Sequence, residues 1–240
     1  MTRPDSTLKE PRADDPMPSA LPLLAGGNII SPSYYIDGAV KAIFGFDFFA
    51  WASEKVSGDW EAVHKAGTAA GNLSRFNTAF AESVRTDLHT RADSWHGNAA
   101  NSAKAYFNQL AGSLDFQVSS LSDMERQLTN ISTGMRELGR LVGDLLQDIA
   151  DFVLLWLASQ AAEAVLASSL VGAPAAAAEA AVSAAYLVMI LQRGSKVVTL
   201  ISDTYRTIYA GIGALNLLSN QSSADKLPPL PHAGYSFPGA

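Results

Sequence analysis

The sequence predicts an all-α protein in which a long antiparallel helical hairpin is extended into a bundle. Of the 11 prolines in 240 residues, only Pro174 lies between Ser33 and Leu227. Because proline removes an amide donor and clashes with the preceding helical turn, this long stretch is free to be helical almost throughout. Its apolar residues recur at helical spacing, and no part of it reads as a strand.

The composition excludes several classes of protein. The chain has no Cys, which excludes a disulfide scaffold, a Cys-ligated zinc site and a thiol nucleophile. Its 17 Lys and Arg against 23 Asp and Glu give a net charge of −6, which argues against nucleic acid as a partner. A hydrophobic content of 48% is enough to bury a sizeable core.

The two ends of the chain are predicted to be disordered. Residues 1–27 are rich in Pro, Asp, Arg and Ser without any period, and residues 219–240 are polar and then rich in Pro and Gly. The leader does not resemble a secretory signal peptide, because its basic residues alternate with acids and its short apolar stretch contains a proline. A helical domain is therefore expected over residues 28–218.

The first predicted helices lead into the hairpin, which we place at residues 59–150. The aromatic-rich stretch 36–56 predicts a short or broken helix packed onto the rest. Asp59 is a suitable N-cap for a helix from Trp60 to about Arg91, whose apolar and small residues step by three and four.

The strongest periodic signal begins at Ala100. Alternate steps of three and four from Ala100 to Phe152 give sixteen positions, of which fifteen are apolar and Gln117 is the exception. A heptad pattern held this long predicts a coiled-coil-like contact face. The hairpin and partner packing residues that we expect are Trp60, Phe76, Phe80, Phe107, Leu110, Leu114, Leu121 and Leu128.

Residues 151–218 are predicted to form an Ala-rich helix pair and a last helix. Between Ala158 and Ala185, 14 of 28 residues are alanine, and Gly172-Ala173-Pro174 is expected to separate two helices. Arg193-Gly194 is expected to end the second of them, with a last helix from Ser195 to about Leu218.

The Ala-rich pair leaves a membrane alternative open. Glu163 and Glu179 divide residues 152–192 into uncharged runs of at most 15 residues, shorter than a span of roughly 20. A buried helix pair is the favoured interpretation. The alternative is a conditionally inserting hairpin, with Phe152, Trp156, Pro174 and Tyr186 marking the segment.

No motif indicates an enzyme, a metal site or a cofactor. Glu61 and His64 have the spacing of half a di-iron site, but no second copy of that motif exists. A nucleophile elbow, a phosphate-binding glycine loop and a His-Glu-x-x-His sequence are all absent. We therefore expect a non-enzymatic protein without a cofactor.

The turn between the two long helices contains Trp95-His96-Gly97, followed by small residues from Asn98 to Ala103 and by Tyr106-Phe107. In this setting the chain resembles the WXG (Trp-x-Gly) family, the helical-hairpin substrates of type VII (ESX) secretion. Upstream elements such as Gly58-Asp59-Trp60-Glu61 resemble the WXG-like N-terminal regions of larger actinobacterial effectors and channel-forming toxins. The resemblance covers about residues 28–215.

The resemblance implies a hairpin whose turn is determined by Trp95 and Gly97. It implies a cytoplasmic protein that is then secreted or displayed by the type VII machinery without a cleavable signal peptide. Its partner would be a second copy of the chain or another WXG-like protein. The sequence departs from the family in one respect, because none of its tyrosines is followed by Asp or Glu four residues later.

Overall fold

The computed structural model describes residues 3–11, 32–91, 93–168 and 173–224, and within these ranges it contains helices and no strand. A single 3-10 turn, Pro4–Thr7, precedes five α-helices. They are α1 (Pro32–Phe44), α2 (Phe48–Val56), α3 (Trp60–Arg91), α4 (Asn98–Ala167) and α5 (Ala173–Ala224). The long helices pack against each other, and the prediction of an all-α helical bundle is confirmed.

The aromatic-rich first block is a broken helix, as predicted. Gly45 separates α1 from α2 and has a φ of 78°, a left-handed conformation that favours glycine. Asp47 caps α2, because its side chain accepts a hydrogen bond from the Ala50 amide at 3.0 Å. Its other carboxylate oxygen lies 3.1 Å from the Lys41 ammonium.

The hairpin helices begin where local sequence signals place them, but the second is longer than expected. Helix α3 spans the predicted 32 residues from Trp60 to Arg91. Helix α4 continues without interruption for 70 residues to Ala167, so the hairpin does not end at residue 150. The first Ala-rich helix is therefore the C-terminal part of α4, since nothing between residues 141 and 167 breaks the helix.

The prediction of a helix end at Arg193-Gly194 is wrong, because α5 is a single helix of 52 residues. Gly194 is buried, and a Cβ atom built there would overlap the ring of Phe44. Gly194 therefore allows the Phe44 ring to pack closely against α5, and it does not end the helix. The predicted separation near Pro174 agrees with the start of α5 at Ala173, and α5 ends at Ala224 instead of Leu218.

The chain divides into two compact units. One contains residues 3–11, residues 61–131 and the end of α5 from Ala210; the other contains α1, α2 and residues 132–209. The second unit has the larger apolar core, and Phe48 is the largest of its fully buried side chains. Its buried members are Val40, Phe48, Ala52, Val56, Met135, Leu138, Val142, Leu145, Leu146, Ile149, Val153, Ile190, Val197 and Ile201.

The first unit has a much smaller buried apolar cluster. Ala81 of α3 packs with Ala111 and Leu114 of α4, with Phe80 and Leu110 half-buried around them. The leader contributes a polar contact here, because the Asn72 side-chain amide donates to the Lys9 carbonyl at 2.7 Å. The rest of the predicted disordered leader, from residue 12 to 27, and most of the predicted tail lie outside the described residues.

Candidate functional site

The turn at Trp95-His96-Gly97 connects the two hairpin helices, and backbone hydrogen bonds end α3 before it and begin α4 after it. The amides of Ser94 and Trp95 both donate to the carbonyl of Arg91 at 3.1 Å, which ends α3. Gly97 has a φ of 100°, which favours glycine, and its carbonyl accepts the Asn101 amide at 3.1 Å. Gly97 is therefore the N-cap of α4 and has no side chain to bond the first-turn amides.

A cleft of about 360 Å³ opens beside this turn, within the first unit. We call it the turn cleft. Trp95 remains 47% exposed and Phe107 38% exposed, so two aromatic faces line it without being covered. Its lining residues are Val84, Asp87, Leu88, Arg91, Trp95, His96, Gly97, Ala100, Asn101, Lys104 and Phe107.

The charged side chains of the turn cleft differ from most others in the molecule. Among the described residues, neither Arg91 nor Lys104 forms an ion pair, and Asp87 has no cationic partner either. Elsewhere in the same unit Arg85 pairs with Asp115, which raises the pKa of the Arg85 guanidinium. The cleft thus presents two cations and one carboxylate, and none of the three forms an ion pair with a described residue.

Between Gly67 and Asn77, the contact of α3 with α4 is made by small and polar residues. A Cβ atom built on Gly67 would lie 3.1 Å from Cβ of Leu128, so the two helices approach closely there. The Ser74 hydroxyl lies 3.0 Å from the Val118 carbonyl and 2.9 Å from the Ser122 hydroxyl. This row of Gly67, Gly71, Ser74 and Asn77 is the polar contact face of α3.

Gln117, the exception in the α4 heptad, has a specific role in this contact. Its side-chain carbonyl accepts a hydrogen bond from the Asn77 amide at 3.1 Å. Asn77 is buried, and without this partner its amide group would lose its hydrogen bond. A polar pair of this kind favours one alignment of the two helices over shifted ones.

The predicted packing residues therefore occupy different environments. Leu114 is buried between the hairpin helices, whereas Phe76 and Phe80 stack on each other at 5.7 Å and remain half-buried. Trp60 packs against the core of the second unit, with its indole N–H 3.2 Å from the Val56 carbonyl. The other predicted packing residues on α4 are half-buried or exposed. They are Phe107, Leu110, Leu121 and Leu128.

The residues chosen to mark a membrane segment are spread over α4 and α5. The rings of Phe152 and Tyr186 lie 6.5 Å apart, and Trp156 packs on the core of the second unit. Pro174 is exposed at the start of α5. The large apolar side chains exposed in this region are Leu154, Leu155, Val165, Val182, Val188, Met189 and Leu191.

Two helices are long and apolar enough to cross a membrane by length and composition alone. Windows in α4 and in Pro174–Asn220 of α5 have mean hydropathies of 1.5 and 1.6, and 17% of each window is buried. The core helix of a soluble protein passes the same test, but such a helix is mostly buried. Among the described residues, no group of three or more His, Asp or Glu could hold a metal ion.

Sequence reasoning identified Trp95 and Gly97 but missed the charged residues of the turn cleft. Arg91 and Lys104 are 13 positions apart, and the turn brings both to one cleft. The available signal was the pair of basic residues that flank Trp-x-Gly in an acidic chain. No family model matches this chain, and no curated protein or solved structure is significantly similar to it.

Proposed function

We propose that this chain is a non-enzymatic WXG-like helical protein handled by a type VII (ESX) secretion system. It acts by helix–helix assembly with a second copy or with another WXG-like protein. The support for a WXG-like hairpin is the Trp95-His96-Gly97 turn between two long antiparallel helices. The support for secretion is the resemblance of this turn and of the residues around it to type VII substrates.

One observation carries the assembly proposal: Leu73 and Phe76, two large apolar residues of α3, lie away from its polar contact face with α4. These two residues, which we call the α3 stripe, are displaced from the polar contact face by roughly a third of a turn, whereas Phe80 packs beside Ala81, Ala111 and Leu114. Leu73 remains 43% exposed. A stripe of this kind at helical spacing is suited to a helix supplied by another molecule.

Size-exclusion chromatography with light scattering tests the assembly, on the full chain alone and together with the products of neighbouring genes. We expect an oligomer or a heterodimer for the natural chain and a monomer for the Leu73→Glu/Phe76→Glu variant. Leu217→Glu is the matched control, because Leu217 is 68% exposed on α5 outside the stripe. A strictly monomeric natural chain under both conditions would falsify the assembly proposal.

Secretion is tested separately in the organism that encodes the chain. We expect the protein in the culture medium or on the cell surface when the secretion ATPase is intact, and in the cytoplasm when that ATPase is inactivated. A cytoplasmic lysis marker must stay inside the cells in both strains. Equal export with and without the ATPase would contradict the type VII assignment and would leave the assembly measurement unaffected.

A second candidate function is membrane insertion of residues 152–192, as in a pore-forming effector. The observation that favours it is the shallow burial of two helical windows apolar enough to span a bilayer. Glu163 and Glu179 interrupt this segment, and their protonation at low pH would reduce the cost of placing them in lipid.

Liposome flotation and dye release at pH 7 and pH 5 discriminate between the two candidates. Insertion predicts binding and leakage that increase at pH 5 and that Leu155→Lys/Val188→Lys abolishes, because a lysine in the bilayer centre costs a few kcal/mol. Leu8→Lys, outside both apolar helices at a residue 52% exposed, is the control and should leak like the natural chain. An absence of binding at both pH values would eliminate this function.

A further inference from the structure

The turn cleft combines two exposed aromatic faces with two unpaired cations, and neither feature is needed to close the hairpin. Contacts outside the cleft hold α3 and α4 together, among them the packing of Ala81 on Ala111 and Leu114 and the ion pair of Arg85 with Asp115. We propose that the turn cleft is a binding site for a small aromatic carboxylate. This inference is independent of the assembly proposal, since all lining residues belong to one hairpin.

The size and the walls of the cleft match a small flat ligand. Its volume of about 360 Å³ falls in the range of ~300–1,000 Å³ typical of small-molecule sites. Val84, Leu88 and Ala100 add an apolar floor to the two aromatic faces. Aromatic rings prefer offset-stacked or edge-to-face neighbours, which Trp95 and Phe107 can both provide.

The charge of the cleft selects an anion. Arg91 and Lys104 are unpaired among the described residues, in a chain whose net charge is −6. The free amide N–H groups in the first turn of α4 add positive potential at the cleft. No acidic side chain in that turn offsets this potential. Asp87 is the one carboxylate in the lining, and it leaves the cleft with a net positive charge.

A carboxylate on an aromatic ring satisfies both features at once. The carboxylate accepts hydrogen bonds from the Arg91 or Lys104 side chain, while the ring contacts Trp95 and Phe107. A cationic aromatic ligand would instead face two like charges. A purely apolar ligand would leave both cations without a counter-charge, so neither class uses the whole site.

The test uses 2-naphthoate as the probe and neutral 2-naphthamide as its matched analogue, both titrated into the full chain by calorimetry. We expect 2-naphthoate to bind about tenfold tighter than 2-naphthamide at low salt, an advantage that decreases as salt screens the cations. In ¹⁵N–¹H spectra the four tryptophans give four indole signals, and Trp95→Phe identifies that of Trp95. Bound 2-naphthoate should shift the Trp95 signal and leave the Trp51 and Trp156 signals in place.

Variants of opposite sign separate the site from a general loss of structure. Arg91→Ala/Lys104→Ala should weaken 2-naphthoate binding about tenfold, because two charge contacts are lost. Asp87→Asn should strengthen it about twofold by removing a like charge. Lys196→Ala removes another unpaired lysine, on α5 outside the cleft, and should leave the affinity unchanged.

Three results would overturn the proposal. One is equal affinity for 2-naphthoate and 2-naphthamide, which would mean that charge plays no part. The second is a loss with Lys196→Ala as large as that with Arg91→Ala/Lys104→Ala. The third is an unshifted Trp95 signal at saturation. Far-UV circular dichroism of each variant shows whether the helices are retained.

Discussion

The two units of this chain have interiors of different chemistry. In the second unit, Phe48, Ile149 and Ile190 belong to a core of large apolar side chains with exposures of 1%, 0% and 0%. In the first unit, the buried residues of α3 are mostly small or polar, and they are Gly67, Gly71, Asn72, Ser74, Asn77 and Ala81. Apolar burial is non-directional, whereas hydrogen bonds between buried polar groups require one alignment.

This difference explains why apolar side chains of the hairpin remain available. Because small and polar residues bring α3 and α4 together between Gly67 and Asn77, the Leu73 and Phe76 side chains are not needed between the helices there. The first unit thus separates its internal contact from an apolar surface. The second unit uses its aromatic residues internally, as the stacked rings of Phe44 and Phe48 at 4.3 Å show. Substitutions that change the stability of either unit can test this contrast.

The largest effect is expected from truncation in the apolar core. Phe48→Ala should lower the free energy of unfolding of the second unit by about 3–5 kcal/mol, because it removes a buried ring and leaves a cavity. Phe46→Ala, two positions earlier, is the control, since Phe46 is 46% exposed and should cost about 1 kcal/mol. Urea titration followed by tryptophan fluorescence measures both, and equal losses would contradict the assigned core.

The next effect tests the close approach of α3 and α4. Gly67→Leu should destabilise the hairpin by about 1–3 kcal/mol, because the new side chain collides with Leu128 and the Glu125 carbonyl. Gly112→Leu is the matched control, because a Cβ atom there meets nothing within 4 Å. It should stabilise α4 by about 1 kcal/mol. Thermal unfolding followed by circular dichroism should give melting shifts of opposite sign.

A smaller effect is expected at the polar pair of the hairpin. Asn77→Ala leaves the Gln117 side chain without its partner and should cost about 1 kcal/mol. Asn77→Leu/Gln117→Leu replaces both partners and should recover most of that loss. A double-mutant cycle of Asn77→Leu, Gln117→Leu and the variant with both substitutions measures the coupling in urea. Additive effects of the two single substitutions would mean that the hydrogen bond contributes nothing to the alignment of the helices.

The smallest effect concerns the cap of α2 and depends on pH. The Ala50 amide and then the Lys41 ammonium hold the pKa of Asp47 below its ordinary value. The charged carboxylate therefore favours the folded state above the unfolded pKa, and this contribution is lost as the pH falls through the folded pKa.

Asp47→Asn keeps a capping side chain but does not titrate. The difference in melting temperature between pH 6 and pH 3 should therefore be smaller in Asp47→Asn than in the natural chain. An unchanged pH dependence would show that the Asp47 contacts do not contribute to stability.

The sequence by itself determined the helical content and the starts of α3, α4 and α5. Pro174 and Gly97 act through the backbone of their own neighbours, so no distant contact is needed to interpret them. The hairpin turn and the bounds of α3 follow from these local signals. The turn cleft does not, because its cations come from two helices.

Only the tertiary structure decided how the helical faces are used. A glycine in a helix can mark an end or a close contact, and Gly194 is a close contact because the ring of Phe44 lies against it. Periodicity placed Gly67 and Leu73 on one face of α3, yet Gly67 and Ser74 are buried whereas Leu73 is exposed. Gln117 interrupts a heptad, and its partner Asn77 lies 40 residues earlier in the chain. Such choices depend on which side chains meet across helices, and that information is not local in the sequence.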